Sequence, residues 1–158
     1  MKTIKYYGLE KPVTIAKTIL AIVPRLDEIR RLIFEKNNAL AVNSMNNMYD
    51  TYGTAERILD NIDRADELHN LKIRVIEYVE TMPEKLRRVT VLRFFKNQTA
   101  EQVAARIKTS ARTVFRLQEQ AIMLFAQNLG KIGIDFLKFK CLLKRNKWIG
   151  AEFERQGA

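Results

Sequence analysis

Apolar residues recur every three or four positions through the first part of the chain. Ile15, Ile19, Ile22, Leu26, Ile29 and Ile33 form one stripe, and Leu40 resumes it beyond Lys36. This is the spacing of a helix with one apolar face, close to a heptad. Pro24 interrupts it, because proline lacks an N–H and clashes with the preceding turn. The pattern predicts a short helix from about Pro12 and a longer one from about Pro24 into the low 40s. The polar, Asn-rich stretch Asn43–Gly53 predicts a loop. Ile58, Ile62, Ala65, Leu68, Ile73, Ile76 and Val79 then predict a second long amphipathic helix. Two such helices around a turn make an antiparallel hairpin, a coiled-coil-like arm over residues 1–80 with an apolar stripe left for a partner.

Residues 82–125 carry a different pattern. Pro83 falls at the first position of a new helix, where a missing N–H costs nothing. Val89, Leu92 and Phe95 supply its buried face, and Asn97-Gln98 breaks it. Thr99-Ala100-Glu101-Gln102 is a capping box, in which Thr99 and Gln102 each satisfy an orphan backbone donor. A short helix over about 100–106 follows. Ser110 is a second N-cap, opening a longer helix from Ala111 to about Ala126. Two helices joined by so short a turn form a helix-turn-helix unit, a domain over 81–129. Val103 and Ile107 face Val114 and Leu117 across the wedge, and Ala104 is small where the backbones approach. The turn itself needs φ > 0, which glycine adopts at no cost. Lys108 stands there instead, at a strain of about 1 kcal/mol.

Beyond Gly130, the apolar residues Ile134, Phe136, Leu137, Phe139, Leu142 and Leu143 alternate with Lys138, Lys140, Lys144, Arg145 and Lys147. This predicts a basic amphipathic C-terminal helix over 130–158. It packs back on the core with lysine stems covering apolar surface, and residues 150–158 fray. The fold class is all-α.

Charge sharpens this division. The 158 residues carry a net +10. Residues 1–80 hold twelve basic and twelve acidic groups, whereas 81–158 hold sixteen basic and six acidic. The entire excess lies in the second half, which therefore suits a polyanion. One cysteine, Cys141, excludes an internal disulfide and a cysteine-based zinc site, and one histidine, His69, excludes a two-histidine metal site. His69 reads as a boundary residue near the apolar stripe of the second helix, and Asp60, Asp63 and Glu67 as a solvated acidic face. No phosphate-cradling glycine loop or nucleophile–base spacing is present. These observations predict no enzyme, cofactor or metal. No apolar run approaches the ~18–20 residues that span a bilayer, and Met1–Tyr7 lacks a signal-peptide core. The expectation is a cytoplasmic protein that does not enter membranes.

The second helix of the helix-turn-helix unit is the natural reader of a duplex. Ala111, Arg112, Phe115, Arg116 and Glu119 are assigned to base edges, being read as the face opposite Val114 and Leu117. Arg112 and Arg116 can each take guanine O6 and N7 bidentately, Glu119 can accept from cytosine N4, and Phe115 can meet a thymine methyl. Lys96, Gln98, Thr99, Lys108 and Thr109 flank the unit and are assigned to phosphates, which position a module without specifying sequence.

Met82-Pro83-Glu84-Lys85-Leu86-Arg87-Arg88-Val89-Thr90-Val91-Leu92-Arg93-Phe94-Phe95, with Thr99-Ala100-Glu101-Gln102-Val103-Ala104 and Thr109-Ser110-Ala111-Arg112-Thr113-Val114, resembles the promoter-contacting fourth region of sigma-70 family factors. That pattern reads Leu-Pro-Glu, Leu-Arg-Tyr/Phe, Thr-x-x-Glu-Ile-Ala and Ser-x-x-Thr-Val. Met82, Gln102 and Lys108 depart from it, at the positions of a leucine, a glutamate and the turn glycine. With the helical arm ahead of it, the chain is similar to small phage-encoded sigma-like proteins. The resemblance covers a quarter to a third of the chain and lacks the segment that melts promoter DNA. It implies sequence-specific binding of double-stranded DNA in transcriptional control inside a bacterial host cell, with bacterial RNA polymerase as a further partner. It does not imply a complete initiation factor. The alternative is a phage DNA-packaging protein like a terminase small subunit, whose arm builds a ring. Homo-oligomerisation through residues 14–42 is expected, because the Ile15–Ile33 stripe exceeds what one partner helix covers.

Overall fold

A computed structural model describes residues 12–46 and 51–157. The expectations for Met1–Tyr7, and for the centre of the Asn43–Gly53 stretch, lie outside these residues. Among the described residues there is no strand, and the architecture is all-helical. The helices are α1 (Pro12–Ile22), α2 (Leu26–Asn46), α3 (Thr51–Glu80), α4 (Glu84–Thr90), α5 (Ala100–Ile107), α6 (Ala111–Gln127), α7 (Phe136–Arg145) and α8 (Lys147–Gly157). Short 3-10 turns at Val23–Arg25 and Leu129–Ile132, and a π-turn at Val91–Phe95, connect some of them. No helix of the described residues is long and apolar enough to cross a membrane.

Contacts group the chain into two units: residues 12–24 with 74–157, and Arg25–Ile73. The first short helix therefore belongs by its contacts with the second half of the chain, and α3 contributes residues to both units.

In the larger unit, α1 is the central element. It packs on α6, on α8 and on the π-turn, and Ala16, Ile19, Leu20 and Ile22 are fully enclosed. The Thr18 hydroxyl, also buried, donates to the Thr14 carbonyl oxygen at 2.7 Å, so no polar atom there goes unmatched. The expected single C-terminal helix is two. The Asp135 carboxylate caps α7 by accepting from Lys138 N at 2.7 Å. Buried Asn146 then ends α7, donating from its side chain to the Leu142 carbonyl oxygen at 3.1 Å. Residues 147–157 do not fray as expected. Ile149 and Phe153 are buried, Phe153 packs 5.4 Å from the Phe139 ring, and α8 lies along α1. Apolar anchors on two successive turns hold a segment that a terminal position alone would leave loose.

At its far end, α3 joins this unit through Tyr78. Its hydroxyl donates to the Leu124 carbonyl oxygen at 3.3 Å, and its ring meets Phe125 edge-on at 5.7 Å. Gly133 closes the 3-10 turn with φ 77°, and a Cβ there would press on the Arg74 guanidinium at 3.3 Å. The positive φ favours glycine, and the flexible Arg74 side chain would have to give only slightly to admit a Cβ.

In the unit Arg25–Ile73, α2 and α3 are linked by two side-chain pairs of opposite sequence direction. Lys72 Nζ meets Asp27 Oδ2 at 2.6 Å, and Asn61 Nδ2 donates to Asn37 Oδ1 at 2.8 Å. Asn37 also donates to the Ile58 carbonyl oxygen at 3.3 Å. Asn43–Asn46 and Thr51–Gly53, expected in a loop, are helical. Asparagine lowers helix propensity by only a few tenths of a kcal/mol, which a long propagating helix absorbs. The Ile15–Ile33 stripe is not left open: Ile15, Ile19, Ile22, Leu26 and Ile33 are buried within the chain and Ile29 is half-buried.

Candidate nucleic-acid interface

The candidate site is built on α5, α6 and the turn between them. Thr99 Oγ1 accepts from Gln102 N at 3.2 Å while Gln102 Oε1 accepts from Thr99 N at 3.0 Å, which forms the predicted capping box. The turn runs over Lys108, Thr109 and Ser110. Lys108 is left-handed, with φ 56° and ψ 54°, and Thr109 N donates to the Ala104 carbonyl oxygen at 3.0 Å. Ser110 Oγ then caps α6 by accepting from Thr113 N at 3.2 Å. Beneath the turn, Val89, Leu92, Val103, Ala104, Val114 and Leu117 form a buried cluster with Ile107 packed on it. Packing of Val114 and Leu117 into this cluster fixes which face of α6 points outward.

Pro83 is not the first helical residue but the residue before it, with an extended ψ of 142°; Glu84 begins α4. Phe95 is half-buried rather than buried, because α4 does not continue as a regular helix. It passes into the π-turn, where Lys96 N donates to the Val91 carbonyl oxygen at 2.9 Å. Asn97 then turns left-handed at φ 50°, a conformation asparagine tolerates better than most residues.

Of the five residues assigned to bases, Arg112, Phe115, Arg116 and Glu119 are exposed on α6. Ala111 is not with them: it is half-buried and packs on the Val89–Leu117 cluster. On a helix of 3.6 residues per turn it stands about 60° from Val114, on the inward side. Of the five assigned to phosphates, Lys96, Thr99 and Lys108 are exposed, while Gln98 and Thr109 are half-buried. Gln98 Oε1 is enclosed without a hydrogen-bond partner, and its backbone carbonyl oxygen accepts from Arg93 Nη1 at 2.9 Å.

Arg93 is the residue that the sequence pattern left unassigned. From the π-turn its Nε donates to Gln118 Oε1 at 2.8 Å, and its guanidinium lies 5.7 Å over the Phe115 ring. One side chain thus ties the Lys96–Gln98 segment to the outer face of α6. Its place within Leu92-Arg93-Phe94 was the available signal.

The remaining candidates belong to the unit Arg25–Ile73. His69 is half-buried with Nδ1 enclosed and unpartnered, Asp60 and Asp63 are exposed, and Glu67 is half-buried. Among the described residues, no group of three His, Cys, Asp or Glu side chains is arranged to hold a metal ion. No family model matches the chain, and no curated protein or solved structure matches it either.

Proposed function

We propose that this chain is a sequence-specific double-stranded DNA-binding protein acting in transcriptional control, with α6 as its recognition helix. The observation that carries the reading is the outward row Arg112, Phe115, Arg116 and Glu119 on a helix whose inward face is locked by Val114 and Leu117. Both signs of charge, an aromatic ring and two bidentate donors on one face are the chemistry of base-edge readout. The exposed cations Lys96 and Lys108 lie in the segments that lead into α5 and α6, where phosphate contacts position a reading helix. The +10 excess of residues 81–158 supplies the long-range attraction. In this reading α2 and α3 form a helical arm, and the sigma-like pattern makes bacterial RNA polymerase the partner to test first.

The test is selection of bound fragments from random duplex by the full chain, followed by salt titration of variants on the selected site and on random DNA. Arg116→Ala should cost about 1–3 kcal/mol on the selected site and narrow its advantage over random duplex. Lys96→Ala should weaken both alike and reduce the salt slope by about one unit. An unchanged advantage in both Arg112→Ala and Arg116→Ala would remove α6 as the reader.

A further inference from the structure

The unit of residues 12–24 and 74–157 carries a second surface that the duplex reading does not use. It is an open groove of about 990 Å³ between the last turns of α3, α4 with the π-turn, and the end of α5. No residue of α6 lines it. Ile76, Val91 and Phe95 contribute to an apolar floor, and Arg87, Arg88 and Arg106 to its rim, with Glu80 the one acidic residue in the lining. Arg87 reaches the Glu80 carbonyl oxygen at 3.4 Å. None of the three arginines makes an ion pair with a carboxylate among the described residues.

Floor and rim ask for different things. An apolar floor open to water favours an apolar cover, while a rim of three guanidiniums with no carboxylate partner among the described residues favours carboxylates or phosphates. A phosphodiester backbone would satisfy the arginines and leave Ile76, Val91 and Phe95 wet. A purely apolar ligand would cover the floor and strip water from the cations without replacing it. An amphipathic helix, about 10 Å across, satisfies both when its apolar anchors repeat at three and four residues and its flanks carry Glu or Asp. We propose that this groove docks an acidic amphipathic helix from a partner protein, with its apolar side chains on Ile76, Val91 and Phe95 and its carboxylates on Arg88 and Arg106. The proposal does not rest on the duplex reading, since the groove and the outer face of α6 share no residue.

The probe is a fluorescein-labelled synthetic helix with leucines along one face and glutamates on both flanks, titrated against the full chain. The control carries lysine in place of every glutamate. Saturable one-to-one binding of the glutamate peptide is expected, with little binding of the control. The double variant Arg88→Ala/Arg106→Ala should raise Kd by about tenfold or more, since each lost pair is charge-assisted. Both side chains are exposed, so the variant should keep its fold, which circular dichroism would verify. Equal binding of the lysine peptide, or an unchanged Kd in the double variant, overturns the proposal. So does displacement of the peptide by unlabelled duplex, which would make the groove a phosphate site. Self-association of the chain that the double variant abolishes would assign the groove to a second copy and overturn it as well.

Discussion

The Arg93 guanidinium lies 5.7 Å over the ring of Phe115 while its Nε holds Gln118 Oε1 at 2.8 Å. Phe115 and Gln118 are neighbours on one stretch of α6, so a single cation from the π-turn sets the posture of two of its side chains. Nη1 of the same group holds the Gln98 carbonyl oxygen, which makes Arg93 a three-way brace rather than a surface charge. Arg93→Lys keeps the charge but loses the planar fork. It should lower stability by about 1 kcal/mol and reduce discrimination between selected and random duplex more than overall affinity. Thermal melting and competition binding on the same sample check both. Equal loss on selected and random DNA would show that Arg93 acts as a phosphate contact instead.

Lys108 combines an unfavourable backbone with an exposed cation. Lys108→Gly should relieve the left-handed strain and stabilise the chain by up to about 1 kcal/mol. On the duplex reading it should also weaken binding at low salt. Opposite signs in a denaturant melt and a DNA titration are the expected outcome, and a destabilised glycine variant would contradict the strain argument.

Asn37 and Asn61 are nearly enclosed, with 6% and 8% of their surface exposed. Asn37→Leu alone leaves the Asn61 amide without its acceptor, at a cost of about 1–3 kcal/mol. Changing both to leucine should recover most of that loss, because an apolar pair needs no hydrogen bond. Urea melts of both single variants and the double variant give the coupling directly. Additive losses would mean that the pair contributes nothing beyond its separate side chains.

Burial holds the Tyr78 hydroxyl above the usual phenol value of 10.0, with the Asn128 side chain acting in the opposite direction. A raised pKa in the folded state means that the folded state keeps the proton longer. Stability from this group is therefore fully present below about pH 10 and is lost as pH rises through the folded value. Tyr78→Phe should remove that alkaline decline while keeping the edge-on contact with Phe125. At neutral pH it should cost about 1 kcal/mol for the lost bond to Leu124. Melting temperatures from pH 8 to 11 test this, and parallel curves for the two proteins would count against it.

Much of the local structure was legible in the sequence, and the reasons are local. Thr99, Gln102 and Ser110 announce helix starts because their side chains satisfy specific backbone donors, and the outcome depends on few distant residues. The inward positions Val103, Val114 and Leu117 follow from period alone. What escaped was the identity of each neighbour. An apolar stripe on α1 says that something must cover it, and reads the same whether the cover is a second copy, α6 or α8. Arg93 escaped for a related reason: its role depends on Gln118 and Phe115, which approach it only after α4 and α6 have packed. Ala111 was misplaced because its small side chain is compatible with either face, and only its angular distance from Val114 distinguishes them.

The docking of α8 along α1 has a consequence for biosynthesis. Helix α1 is made well before residues 147–157, which form part of the cover over Ala16, Ile19 and Leu20. Until they clear the ribosome, this helix is an apolar strip covered only in part, by α6 and the π-turn. The unit therefore cannot complete its fold until residue 157 has been made, and the growing chain carries an aggregation-prone surface meanwhile.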